Sequence, residues 1–150
     1  MVLLVACVLS TLLYGSETWA IYAEQERKLN SFHLKNLRTI LNIRWDDYVT
    51  NDKVLERTGM QSIYALLQQR RLRWLGHVSR MPDGRIPKDM LFGELSIGAR
   101  KRGRPNQRFK DVVKKDMTNC NISTEEWEEI ASNRTLLIQA VKEGLHISKE

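Results

Sequence analysis

The chain has 150 residues, 42% of them hydrophobic, and a formal net charge of +6. That length suits one domain or two small helical lobes, and the apolar fraction argues against disorder throughout. Two distant cysteines, Cys7 and Cys120, and three dispersed histidines, His33, His77 and His146, offer neither a disulfide framework nor zinc-ligand spacing.

Met1 to Leu13 is almost wholly apolar. It is too short to span a bilayer as a helix. It has the apolar length of a signal peptide. However, no Lys or Arg precedes it, and no clear small-x-small cleavage site follows in Tyr14 to Trp19. The expectation is a buried helix at the truncated start of a longer protein, with a nuclear or cytoplasmic location.

From Glu24 to Ile43, the residues Leu29, Phe32, Leu37, Ile40 and Leu41 recur at helical spacing. Glu24 and Glu26 suit the positive end of that helix. Thr50 or Asn51 caps a short helix that stops near Gly59. Ser62 caps the next, from Ile63 to Arg80, with Ile63, Leu67, Trp74, Val78 and Met81 on its apolar face. The turn Met81-Pro82-Asp83-Gly84 ends it. Ile86 to Leu95 predicts a short helix, and Gly98 to Gly103 an exposed basic loop. Pro105 suits the first position of a helix whose apolar face is Phe109, Val112, Val113 and Met117. Ser123-Thr124-Glu125-Glu126 has the form of a capping box. It opens a last helix carrying Trp127, Ile130, Ala131, Leu137, Ile138 and Val141.

No alternating strand pair is visible, so the fold class is mainly α: a small helical domain or two helical lobes with an exposed basic loop. The expected divisions are 1–20, a junction helix and loop; 21–95, a lobe with an Arg-rich helix; 96–120, a basic Gly/Arg loop and helix; and 121–150, a C-terminal helix.

Charge is unevenly spread. Residues 70–115 hold fourteen Lys and Arg against four Asp and Glu, while residues 116–150 hold three against seven. A block of this kind reads as a footprint for a polyanion. The glutamates Glu125, Glu126, Glu128 and Glu129 read as the first turn of a solvated helix.

Asp46 and Asp47 are the one adjacent carboxylate pair that suggests metal chemistry. They follow a helix rather than a strand turn, so a polar inter-helix loop is expected. No Ser/His/Asp or Cys/His set and no phosphate loop is present. No catalytic residue, metal site or cofactor is therefore assigned.

Two basic constellations remain. The first is Arg70, Arg71, Arg73, His77 and Arg80, around a Trp74 expected in the core. Guanidinium groups match phosphate oxygens bidentately. By helical phase Arg71 lies about 90° from the apolar face, so it flanks the core or faces outward. Gly76 is costly inside a helix by about 1 kcal/mol, which points to close approach of another backbone or of a sugar–phosphate chain. The second constellation is Arg100, Lys101, Arg102, Arg104, Arg108 and Lys110. Its centre, Arg102-Gly103-Arg104-Pro105, has the form of an AT-hook lying in a minor groove. The alternative is a basic loop that neutralises phosphates without reading sequence.

In their order and spacing, the motifs resemble the region beyond the polymerase in non-LTR retrotransposon endonuclease–reverse transcriptases. The residues that carry this are Leu12 to Trp19, Phe32-His33, Leu37 to Trp45, Thr50-Asn51, Arg57-Thr58-Gly59, Arg70 to Met81 and Gly98 to Lys110. The resemblance implies a parent protein with an endonuclease and a reverse transcriptase, copying element RNA at a nicked chromosomal site. It implies a junction role for Leu3 to Trp19 and a nucleic-acid role for the two basic constellations. The palm's Tyr-x-Asp-Asp turn is absent, and the basic residues usual near the final Trp-containing helix are thinned to Arg134. The expectation is a non-catalytic fragment that binds RNA and/or DNA, with no membrane and no small-molecule substrate. The alternative is a pseudogene remnant or protein-interaction module with no nucleic-acid role.

Overall fold

The computed structural model describes residues 4–93, 102–103, 107–123 and 125–147. Among them the ordered elements are helices and helical turns, with no strand, so the mainly α class holds. The chain divides into two compact units: Met1–Ser16 with Ile21–Leu67, and Glu17–Ala20 with Gln68–Glu150.

In the first unit a π-helical stretch, Leu4–Leu9, runs into α1 (Ser10–Leu12); the 3-10 turn Ser16–Thr18 that follows passes into the second unit at Glu17. Leu9 and Leu13 are buried. Helix α2 is Ala23–Ile40, and it buries His33, Leu34 and Leu37. Phe32 and Ile40, expected on its apolar face, are instead exposed. The packed stripe passes through residues 30, 33, 34, 37 and 41, and a polar His33 at its centre disguises it in the sequence. Leu34, Leu37 and Val54 form the nucleus of this core, with Leu41, Ile43, Val49, Leu55 and Met60 packed against it.

Helix α3 is Asn51–Thr58. The Thr50 hydroxyl accepts the Lys53 N–H at 3.4 Å, and Gly59 stops the helix in the left-handed region at φ 64°. Helix α4 is Ile63–Ser79, with the Ser62 hydroxyl accepting the Ala65 N–H at 3.3 Å. Both helices form where their caps and stop signals predict them. The first turn of α4 belongs to the first unit and the rest to the second.

The second unit continues with α5 (Ile86–Phe92), α6 (Phe109–Asn119), α7 (Trp127–Ser132) and α8 (Arg134–Ile147). Helix α5 ends three residues before the expected Leu95. Helix α6 begins at Phe109, and the expected helix start at Pro105 lies outside the described residues. Of its expected apolar face, Val112, Val113 and Met117 are buried and Phe109 is half-buried. The single last helix predicted from the capping box is two helices. Ser123 Oγ does accept the Glu126 N–H at 3.2 Å. The break falls at Asn133, whose backbone is extended and whose side chain accepts the N–H groups of Thr135 (3.0 Å) and Leu136 (3.4 Å). Asparagine caps a helix well, and here its side chain replaces the backbone acceptors that a continuous helix would supply.

Two glycines set the spacing of these helices. A Cβ on Gly76 would lie 2.1 Å from Leu137 Cδ2, so α8 seats a leucine directly on the α4 backbone. A Cβ on Gly144 would lie 2.5 Å from Cys120 Cα and 2.7 Å from Cys120 O, so α8 also meets the end of α6 backbone to backbone. What closes on Gly76 is the Leu137 side chain, neither of the two neighbours expected there, another backbone or a sugar–phosphate chain.

Candidate nucleic-acid interface

Helix α4 decides which basic residues can meet a ligand. In the second unit it buries Gln68, Arg71, Leu72, Leu75 and Val78. The residues 70, 73, 77 and 80 are spaced by three or four, so they fall in one stripe along the helix. Arg73, His77 and Arg80 are exposed on it, and Arg70 is half-buried. The Arg80 guanidinium also donates to the Ala131 carbonyl, which ties the end of the stripe to α7. Trp74 is half-buried and meets Phe109 of α6 edge to face, with ring centroids 5.2 Å apart. The expected core role of Trp74 is thus partial.

Arg71 departs from the expected set. Its relative exposure is 3%, and that of Asp116 is 4%. Arg71 Nε donates to Asp116 Oδ2 at 2.6 Å and Nη2 to Oδ1 at 3.1 Å, a fork-to-carboxylate pair. Its guanidinium thus holds α4 to α6 from inside, where phosphate cannot reach it. Gln68 completes the arrangement, donating from Nε2 to the Asp116 carbonyl at 2.8 Å and to Cys120 Sγ at 3.1 Å. Burial, and next the Asp116 charge, push the Cys120 thiol up to about 11, although the Gln68 hydrogen bond opposes them. The sequence carries a sign that each of these residues is buried, though not that they pair. Asp116 stands in the apolar row of Val112, Val113 and Met117, and Arg71 in that of Leu67, Leu72, Leu75 and Val78.

Of the second constellation, Arg102 and Gly103 form an exposed turn, with Gly103 in the left-handed region at φ 82°. Here glycine is needed for the backbone's own conformation. Arg108 is exposed at the start of α6, and its N–H donates to Asp111 Oδ2 at 3.3 Å. Lys110 is half-buried, with Nζ donating to the Gly93 carbonyl at 3.4 Å. Arg100, Lys101 and Arg104 lie outside the described residues. A further cation of the block, Lys88, is committed to its own turn through Asp83 Oδ1 (2.7 Å) and the Met81 carbonyl (2.9 Å).

Asp46 and Asp47 sit in a 3-10 turn, Trp45–Asp47, where Asp47 Oδ2 accepts the Arg44 N–H at 2.7 Å. That is the inter-helix loop expected. Among the described residues no group of three or more His, Cys, Asp or Glu could hold a metal ion. Nor, among them, is any helix long and apolar enough to cross a membrane.

No protein-family model matches the chain, and no solved structure does. A transposon-derived protein of Caenorhabditis elegans is 28% identical over 134 residues, covering 85% of this chain and 48% of that protein. The chain therefore spans about half the length of the relative it matches.

Proposed function

We propose that this chain is the nucleic-acid-binding C-terminal region of a non-LTR retrotransposon reverse transcriptase, and that it performs no polymerisation by itself. The observation that carries the reading is the α4 stripe. Arg73, His77 and Arg80 face solvent in one row, in the unit that also holds Arg102, Arg108 and Lys110. Arginines in a row at helical spacing suit a phosphate backbone, which presents charge at regular intervals. The likeness to a transposon-derived relative supports an origin in a mobile element. The order of motifs from Leu12-Leu13 to Lys110 is what points to the reverse-transcriptase class.

A salt-titrated binding assay with labelled RNA and DNA tests this. Affinity should fall linearly on logarithmic axes as salt rises, with a slope of roughly 0.7 to 0.9 per phosphate neutralised. A folded sample that binds neither nucleic acid in a salt-dependent way would overturn the reading in favour of a remnant or interaction module.

A further inference from the structure

An open groove of about 930 Å³ lies within the second unit, between α5 and the first turns of α6. Its floor is Trp74 with Phe109, and its α5 wall is Ile86 and Met90. These two wall residues are 73% and 78% exposed, unusual for large apolar side chains that flank an aromatic pair. The opposite rim carries Arg108, Lys110 and Lys114. Asp111 also lines the groove, but its carboxylate is turned onto the start of its own helix, where it accepts the Arg108 N–H.

We infer that this groove takes a single nucleic-acid strand, with bases against Trp74, Ile86 and Met90 and phosphates on Arg108, Lys110 and Lys114. The inference rests on the nucleic-acid reading above and adds which form of nucleic acid is bound and where. An unpaired strand offers two chemistries side by side: apolar base faces and an anionic backbone. The groove offers their complements side by side, an aromatic and aliphatic wall and a cationic rim. A duplex hides its base faces within the stack, so Ile86 and Met90 would have nothing to meet. A neutral apolar peptide would leave the three cations unmatched.

The test uses the full chain, a labelled oligouridine and oligothymidine of about 20 nucleotides, and a hairpin duplex of similar charge. Met90→Glu places a carboxylate in the wall at a position too exposed to disturb folding, and circular dichroism verifies this. Strand binding should weaken about tenfold, the scale of one lost base contact, while duplex binding stays within twofold. Met90→Leu should restore strand binding. In a second variant, Lys114→Glu, strand affinity should also fall and its salt slope should flatten. Equal affinity for strand and duplex, or unchanged strand affinity in both charged variants, overturns the groove and leaves the wider reading standing. Binding of an acidic peptide in preference to either oligonucleotide also overturns it. No binding to any nucleic acid removes both readings together.

Discussion

Among the described residues each unit buries one large basic side chain, and the two solve the problem differently. In the first, His33 is fully buried, and its ring Nε2–H donates to the Gln61 carbonyl at 3.3 Å. Its Nδ1 has no hydrogen-bond partner among the described residues. Burial holds the imidazole below its ordinary pKa, and the Gln61 carbonyl only partly opposes this. In the second unit, Arg71 cannot shed its proton, so the fold supplies a bidentate carboxylate. The first unit stays neutral inside and is sensitive to pH. The second keeps a charge inside and holds it against a carboxylate.

Breaking that partnership should give the largest effect. Asp116→Ala leaves Arg71 buried without its counter-charge and should cost about 3–5 kcal/mol, read as a lower denaturant midpoint. Cys120 gives a reporter for this unit alone. It is buried while Cys7 is exposed, so a thiol reagent should label Cys7 in the folded chain and Cys120 only on unfolding. Asp116→Ala should speed Cys120 labelling strongly, and an unchanged rate would mean that the pair contributes little.

Next come the glycines. Gly144→Ala should cost about 1–3 kcal/mol, the range for overpacking, because its Cβ would meet the Cys120 backbone. Gly76→Ala should cost less, since the atom in its way is the mobile end of Leu137. Equal losses from the two would show that α8 shifts as a body instead.

A smaller effect sharpens the contrast between the units. Below the ordinary imidazole pKa of about 6.5, the unfolded chain takes a proton that folded His33 resists. Stability from this group is therefore complete above that pH and is lost as pH falls from there through the depressed folded value. His33→Leu should flatten the melting temperature between pH 7 and pH 5.5, and a wild-type profile already flat in that window would count against the idea. The smallest structural effect is expected at Arg73→Ala, within about 0.5 kcal/mol, because its site is exposed. Its loss should appear in nucleic-acid affinity, whereas Arg71→Ala should lower stability first.

The fold was legible wherever local chemistry decides it. Thr50, Gly59 and Ser62 mark α3 and α4 because caps act within one turn of the chain. The face of α2 was not, because His33 sits where an apolar residue would have shown the stripe. The break at Asn133 was hidden inside a run of residues with sound helical spacing. At the site, the row of Arg70, Arg73, His77 and Arg80 follows from helical phase. Arg71 needed knowledge of Asp116, 45 residues away, and no local pattern supplies a long-range pairing. The groove was equally unreadable, since Ile86, Met90 and Lys114 come together only through packing.

The contact of Gly144 with Cys120, together with Leu137 on Gly76, makes α8 a splint across two other helices. The basic stretch 70–115 therefore cannot be excised as a working piece. A fragment cut at Asn133 would strip the cover from the α4 backbone and from the end of α6. For anyone dissecting this protein, a working piece of the second unit has to keep α8 (Arg134–Ile147) together with an uncut α4 (Ile63–Ser79) and α6 (Phe109–Asn119).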